Sequence, residues 1–132
     1  YIEFKCEKPA KRMNFDHCYY SDSTSPFPLI DGKRFDLKHT LFDNDAIFLR
    51  DVCHTVSLKS DKTNRSVTVK FPDMQYLGFW HKPQTDAPYV CIEPWQSVPA
   101  YYNVVDDLET KKDLYPLKQG EERTAEIDMI FE

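Results

Sequence analysis

"RSVTVKF", residues 65 to 71, alternates apolar and polar side chains without a break. Val67, Val69 and Phe71 fall on one side and Ser66, Thr68 and Lys70 on the other, because successive side chains of a strand point to opposite faces. "RTAEIDMIF", residues 123 to 131, repeats the pattern, with Ala125, Ile127, Met129 and Phe131 set against Thr124, Glu126 and Asp128. Segments of this period predict strands with one dry face. Val67, Val69, Phe71, Ile127 and Met129 are therefore predicted to be buried.

Outward from these two segments, the same reasoning predicts strands at 1–7, 34–40, 46–50, 54–59, 76–81 and 88–93. Asp31-Gly32 is a two-residue hairpin signal, and "SDKTN" at 60–64 suits a longer loop. Nine prolines against three glycines favour rigid loops over flexible linkers. "DSTSPFP" at 22–28 reads as a surface connection, and "VDDLETKK" at 105–112 as a short helix whose acids precede its lysines. The fold class is all-β, with two packed sheets forming a β-sandwich.

The chain has 132 residues, 41% of them hydrophobic, which suits one globular domain without a visible boundary or repeat. No apolar run reaches the ~18 residues of a membrane span. No leader pattern is visible either, so a cytoplasmic location is expected. The strand pattern already under way at Tyr1 suggests a chain entered in mid-fold. Net charge is −5, and the longest basic cluster, "KPAKR" at 8–12, lacks interleaved aromatics. Nucleic acid and anionic membrane surfaces are disfavoured as partners, since phosphate neutralisation needs a basic face. Four cysteines, at 6, 18, 53 and 91, are expected to be reduced thiols. His17-Cys18 and Cys53-His54 lack metal-ligand spacing, so no metal is expected.

Chemistry gathers around "YVCIEPWQ", residues 89–96. A sugar site needs an aromatic platform for the C–H face of the ring and carboxylates for its hydroxyls. Aromatic residues make up 14% of the chain and cluster in "YLGFWHKP" at 76–83, "YVCIEPW" at 89–95 and Tyr101-Tyr102. Glu93 lies among them, and Pro94 restricts its backbone to extended geometry, which fixes the direction of its side chain. A carboxylate set among apolar neighbours is a candidate general base. The simpler reading makes Trp80 and Trp95 core residues and Glu93 a solvated strand end. Asp43 and Asp45 precede an apolar strand, where aspartates ordinarily cap a turn. His81 follows Trp80 and is a weaker candidate for a pocket wall. Asp16-His17 reads as a polar loop.

"YLGFWHKPQTDAPYVCIEPW" at 76–95, "KKDLYPLKQGE" at 111–121 and "HTLFDNDAIFL" at 39–49 together resemble the C-terminal half of aldose 1-epimerases. They look closest to the galactose-mutarotase-like bacterial branch associated with lactose operons. The most specific element is the Cys-Ile-Glu-Pro-Trp string about a dozen residues after Leu-Gly-Phe-Trp. The resemblance covers most of the chain from about residue 35.

It implies a β-supersandwich of which residues 1–132 are the C-terminal portion, and interconversion of the α and β anomers of a free aldose. In that family the glutamate at the place of Glu93 takes the anomeric proton, a histidine protonates the ring oxygen, and no cofactor or metal takes part. Asp45 matches an aspartate that holds sugar hydroxyls, with Asp43 two residues away as the alternative. Trp80, Trp95 and His81 are then candidate walls. The substrate would be a small-molecule aldose, a hexose such as galactose or glucose. Lys111, Lys112 and Lys118 could meet a phosphate if the sugar carried one, although solvated lysines are the default reading.

The family continues Pro-Trp with an aromatic residue and a glycine, whereas Gln96-Ser97-Val98-Pro99 stands here. None of the four histidines has the family's Gly-His-Pro context. The acid histidine is therefore expected before residue 1, and these residues alone are expected to be inactive. His17 lies too far upstream of Glu93 to match. The alternative reading is a non-catalytic carbohydrate-binding β-sandwich.

Overall fold

The computed structural model describes residues 1–132. Ten strands follow one another: β1 (Ile2–Phe4), β2 (Lys11–Asp16), β3 (Tyr19–Pro26), β4 (Arg34–Phe35), β5 (Ile47–Arg50), β6 (Thr55–Lys59), β7 (Ser66–Lys70), β8 (Tyr76–Trp80), β9 (Cys91–Trp95) and β10 (Asp128–Phe131). The one helical element is a 3-10 turn at His39–Phe42. The strands form two five-stranded antiparallel sheets, ordered β10-β7-β6-β1-β4 and β3-β2-β5-β8-β9. All-β is correct, and the architecture is two stacked sheets.

Alternation places the core between them. Ile2, Phe4, Phe35, Val56 and Val69 come from the first sheet, and Ile47, Leu49, Leu77 and Phe79 from the second, all buried in one cluster. Burying one such side chain is worth about 1.5–3 kcal/mol, so the alternating apolar positions drive the stacking. Phe35 and Phe79 meet edge to face across the layer, ring centroids 5.3 Å apart. Phe71 is buried as predicted, and Val67 is half-buried at the margin.

The turn at Asp31-Gly32 forms as its sequence requires. Both residues have positive φ, 50° and 67°, and the Lys33 N–H donates to Ile30 O at 3.0 Å. Two positive-φ residues in succession match the twist of antiparallel strands, and Asp-Gly accepts them at small cost.

Four expectations are corrected. Ile127 and Met129 are exposed, at 43% and 61%. β10 pairs only with β7 at the sheet margin, Met129 opposite Val69 and Phe131 opposite Val67. Directly paired residues share a face, so Met129 and Phe131 lie on the core side, but nothing of the second sheet covers them there. The helix expected at 105–112 is a single turn, in which Lys111 N–H donates to Asp107 O at 2.7 Å and the Asp107 carboxylate accepts the Glu109 N–H at 2.9 Å. An aspartate that caps its own turn competes with helix propagation.

Residues 19–26 form a strand rather than a loose connection. β3 is held by β2, and the hydroxyls of Ser21, Ser23 and Ser25 bond to Asn14 and to each other, at 2.8–3.1 Å. The cysteines are not all free. β1 and β6 pair through Phe4 and Val56, which brings Cys6 beside Cys53; the two form a disulfide with Cα atoms 5.8 Å apart. Cys18 and Cys91 remain thiols.

Candidate active site

The second sheet is covered on one face by the core and partly covered on the other. The partly covered face carries Phe48, Gly78 and Glu93 side by side on β5, β8 and β9, with Arg50, Tyr76 and Trp95 in the next row. Trp80 and Cys91 lie opposite one another on the same face. The segment after β9 folds back over this face. Its Val98 and Tyr101 pack with Met13, Tyr20 and Tyr76 in a second buried cluster, against which Phe15, Phe48 and Trp95 rest. A strand covered on both sides reads as a continuous apolar run rather than an alternating one, which is why "YLGFW" shows no wet positions.

Gly78 is required where it stands. A Cβ built there would lie 3.0 Å from Phe48 Cε1 and 3.3 Å from Glu93 Cβ. The bare glycine thus lets an aromatic ring and a carboxylate-bearing side chain crowd over one backbone position. Cys91 feels the same neighbourhood: burial pushes its thiol pKa up, and the Glu93 carboxylate pushes it further.

β2 and β5 pair for only two residues, Lys11 with Arg50 and Arg12 with Leu49. A cavity of about 730 Å³ borders the residues beyond that pairing, and Asn14, Phe15, His17, Asp45, Phe48 and Trp95 are among those that line it. Such a volume is of the size that takes a small ligand. Phe48 and Trp95 stack against each other, ring centroids 4.5 Å apart, and Phe48 also borders Glu93 across Gly78. Glu93 is not itself among the lining residues; it stands two strands from Phe48, on the same face as the two rings that line the cavity.

Asp45 stands at the turn into β5 with φ 83°, and its Oδ1 accepts the Trp80 indole N–H at 3.2 Å. Positive φ at a residue other than glycine is uncommon and belongs to positions that the surroundings hold in place. Asp43 does not line the cavity; it closes the 3-10 turn and is exposed.

Of the predicted site residues, Glu93, Trp80 and Trp95 share one face, and Asp45 joins them through Trp80 and the cavity. His81 does not. One residue beyond Trp80, it turns away from that face, where it is buried between Phe42, Tyr89 and His39, with Nε2 2.7 Å from Ala87 O. The candidate phosphate lysines are also elsewhere. The Lys111 ammonium is held by Val98 O and Pro99 O, that of Lys112 pairs with Asp22 at 3.0 Å, and none of the three lines the cavity.

Phe48, Phe15 and Asn14 were not foreseen as lining. Phe48 was legible in principle as the odd member of "AIFL", but its role depends on the second face being covered. His17, set aside in the sequence, sits on the cavity rim at the β2–β3 turn. No three histidine, cysteine, aspartate or glutamate side chains converge in a way that would hold a metal ion.

No protein-family model matches the chain, and no curated protein matches its sequence. Solved structures do. A galactose mutarotase-like protein from Lactobacillus casei superposes with a TM-score of 0.88 at 21% identity, over 99% of this chain and 46% of that one. The chain has the galactose-mutarotase-like fold. A galactose mutarotase related enzyme from Lactobacillus acidophilus superposes equally well, with a TM-score of 0.88 at 29% identity, over 100% of this chain and 44% of that one. The chain thus spans slightly under half the length of these two mutarotase-like proteins, and both of its sheets belong to the shared fold.

Proposed function

We propose that this chain is the C-terminal portion of an aldose 1-epimerase-like isomerase and that Glu93 is its general base. The observation that carries the reading is the placement of Glu93 between Cys91 and Trp95 on β9, on the same face as Phe48 and Trp95, the two rings that line a cavity together with Asp45. Aromatic rings offer the apolar C–H face of a pyranose a stacking surface, and the two carboxylates supply acceptors for its hydroxyls.

In this reading Glu93 takes the proton of the anomeric hydroxyl as the C1–ring-oxygen bond opens. The carbonyl form rotates about C1–C2, and closure on the other face returns the proton. The ring oxygen must gain a proton at the same time, and a histidine on the part of the protein preceding residue 1 would supply it. Asp45, held by Trp80, anchors a hydroxyl that does not react. Trp95 and Phe48 form the wall, and His81 has no part in it. The substrate is a hexose such as galactose or glucose.

The test is polarimetry of freshly dissolved α-galactose and α-glucose with the full gene product, against the spontaneous rate. A protein-dependent rate that Glu93→Gln removes supports the reading. Absence of any rate above buffer, with calorimetry still detecting sugar, replaces it with a non-catalytic carbohydrate-binding sandwich.

A further inference from the structure

Lys111 is a charged side chain only 9% exposed. Its ammonium donates to Val98 O at 2.8 Å and to Pro99 O at 3.0 Å, while the nearest carboxylate, Asp106, is 3.8 Å away and largely buried itself. Lysine is rarely buried so far without a close ion pair. Here its donors are used on the backbone of one short segment.

That segment matters to the cavity. Pro99 is part of the cavity wall, and Val98 lies in the buried cluster under Tyr76 and Tyr101. From there the chain runs alongside β3: the Tyr20 N–H donates to Ala100 O at 3.0 Å, and the Tyr102 N–H to Tyr20 O at 2.9 Å. The Tyr101 hydroxyl donates to Asp113 at 2.9 Å, two residues beyond Lys111. Val98 and Pro99 precede this strand-like pairing and are held instead by Lys111. The capped turn at Asp107–Lys111 is what aims the ammonium at them.

We propose that Lys111 is a positioning residue for the sugar site, which fixes the Gln96–Pro99 segment as the wall beside Trp95. This role rests on the epimerase reading above. It acts at a distance: Lys111 touches neither the cavity nor Glu93, and its effect passes through the carbonyls of Val98 and Pro99.

The test compares wild type, Lys111→Met and Lys111→Arg in the full gene product by mutarotation kinetics. Methionine keeps the length and apolar stem but has no donor. Loss of the two charge-assisted bonds is expected to raise KM about tenfold, with kcat falling less than KM rises. Arginine keeps donors for both carbonyls and is expected to return KM to within about threefold of wild type. A merely structural lysine would lower the folded fraction, which reduces apparent kcat and leaves KM alone; that outcome overturns the proposal. So does a Lys111→Met enzyme with wild-type KM. Amide hydrogen exchange supplies a second readout: Tyr102 should exchange faster in Lys111→Met, and unchanged protection counts against the role. If Lys111→Met does not fold, Lys111→Gln, whose shorter uncharged amide cannot replace both charge-assisted bonds, is used: a KM raised about threefold or more supports the role, and a wild-type KM overturns it. If the wild type neither binds nor turns over an aldose, the epimerase reading falls and this role with it; if the wild type is active, only the Lys111 result decides.

Discussion

The Trp80 indole N–H donates to the Asp45 carboxylate, joining the end of β8 to the turn before β5. Trp80 therefore acts less as a free platform than as the residue that aims Asp45. Replacing Trp80 by phenylalanine keeps an aromatic ring but removes the donor. Sugar affinity is expected to fall about fivefold to tenfold, the worth of about 1 kcal/mol for one solvent-accessible hydrogen bond. Asp45→Ala should cost at least as much, and the double variant clearly less than the product of the two, because both changes remove the same Trp80–Asp45 bond. Calorimetric titration with galactose measures all three.

Glu93→Gln preserves size and much of the hydrogen bonding while removing the proton acceptor. General-base catalysis is worth about 10²–10⁴-fold, and kcat should fall by that factor. Affinity should change far less, since the lost interaction belongs mainly to the transition state. Wild-type mutarotation rates in the Glu93→Gln protein would remove the carboxylate from the mechanism.

Cys91 and Glu93 are two residues apart on one face of β9, and the carboxylate disfavours a second negative charge nearby. A raised thiol pKa means less thiolate at a given pH, so Cys91 should alkylate more slowly than exposed Cys18 at pH 8. Burial is the larger cause and persists in Glu93→Gln, so that variant should speed Cys91 alkylation only in part. Mass spectrometry after iodoacetamide pulses resolves the two sites.

Gly78→Ala drives a methyl group against the Phe48 ring and the Glu93 side chain. Overpacking of this kind costs about 1–3 kcal/mol, which a urea midpoint will report. The same variant should lower kcat, because Glu93 is one of the groups that must shift.

Denatured protein without reductant should present two reactive thiols, Cys18 and Cys91, and four after reduction. The bond between Cys6 and Cys53 spans 47 residues of sequence. By the chain-entropy model a closed loop of that size stabilises the fold by about 4 kcal/mol, so reduction should lower the urea midpoint markedly. Four reactive thiols before reduction would rule the bond out.

The strands with alternating patterns were legible because their chemistry is local: "RSVTVKF" states its own dry face. β3 was not, since "YSDSTSP" has the composition of a loop and becomes a strand only through β2 and the serine hydroxyls bonded to Asn14. The disulfide was hidden for a similar reason. Sequence spacing says nothing about Cys6 and Cys53 until the β1–β6 register is known. At the candidate site, the proline after Glu93 and the aromatic clusters singled out β9, while Asp45 came only from the family resemblance, since its own sequence context reads as a turn. His81 lines a different pocket, on the other face, because consecutive residues of an extended chain point to opposite sides. The aromatic floor under Phe48 depends on the 98–101 segment folding back, which no local pattern encodes.

The Cys6–Cys53 bond also divides the chain into two covalent territories. Everything from β2 through β5, including Asp45 and His17, lies inside a closed ring, while β8, β9 and Glu93 lie on the open tail beyond it. A single peptide cleavage between residues 7 and 52 leaves one connected molecule, with the candidate hydroxyl anchor still tethered. One cut after Cys53 and before Glu93 separates the carboxylate from the ring, with only packing and strand pairing left to hold it. The two proposed sugar-contacting acids thus differ in how securely the backbone binds them to the rest of the protein.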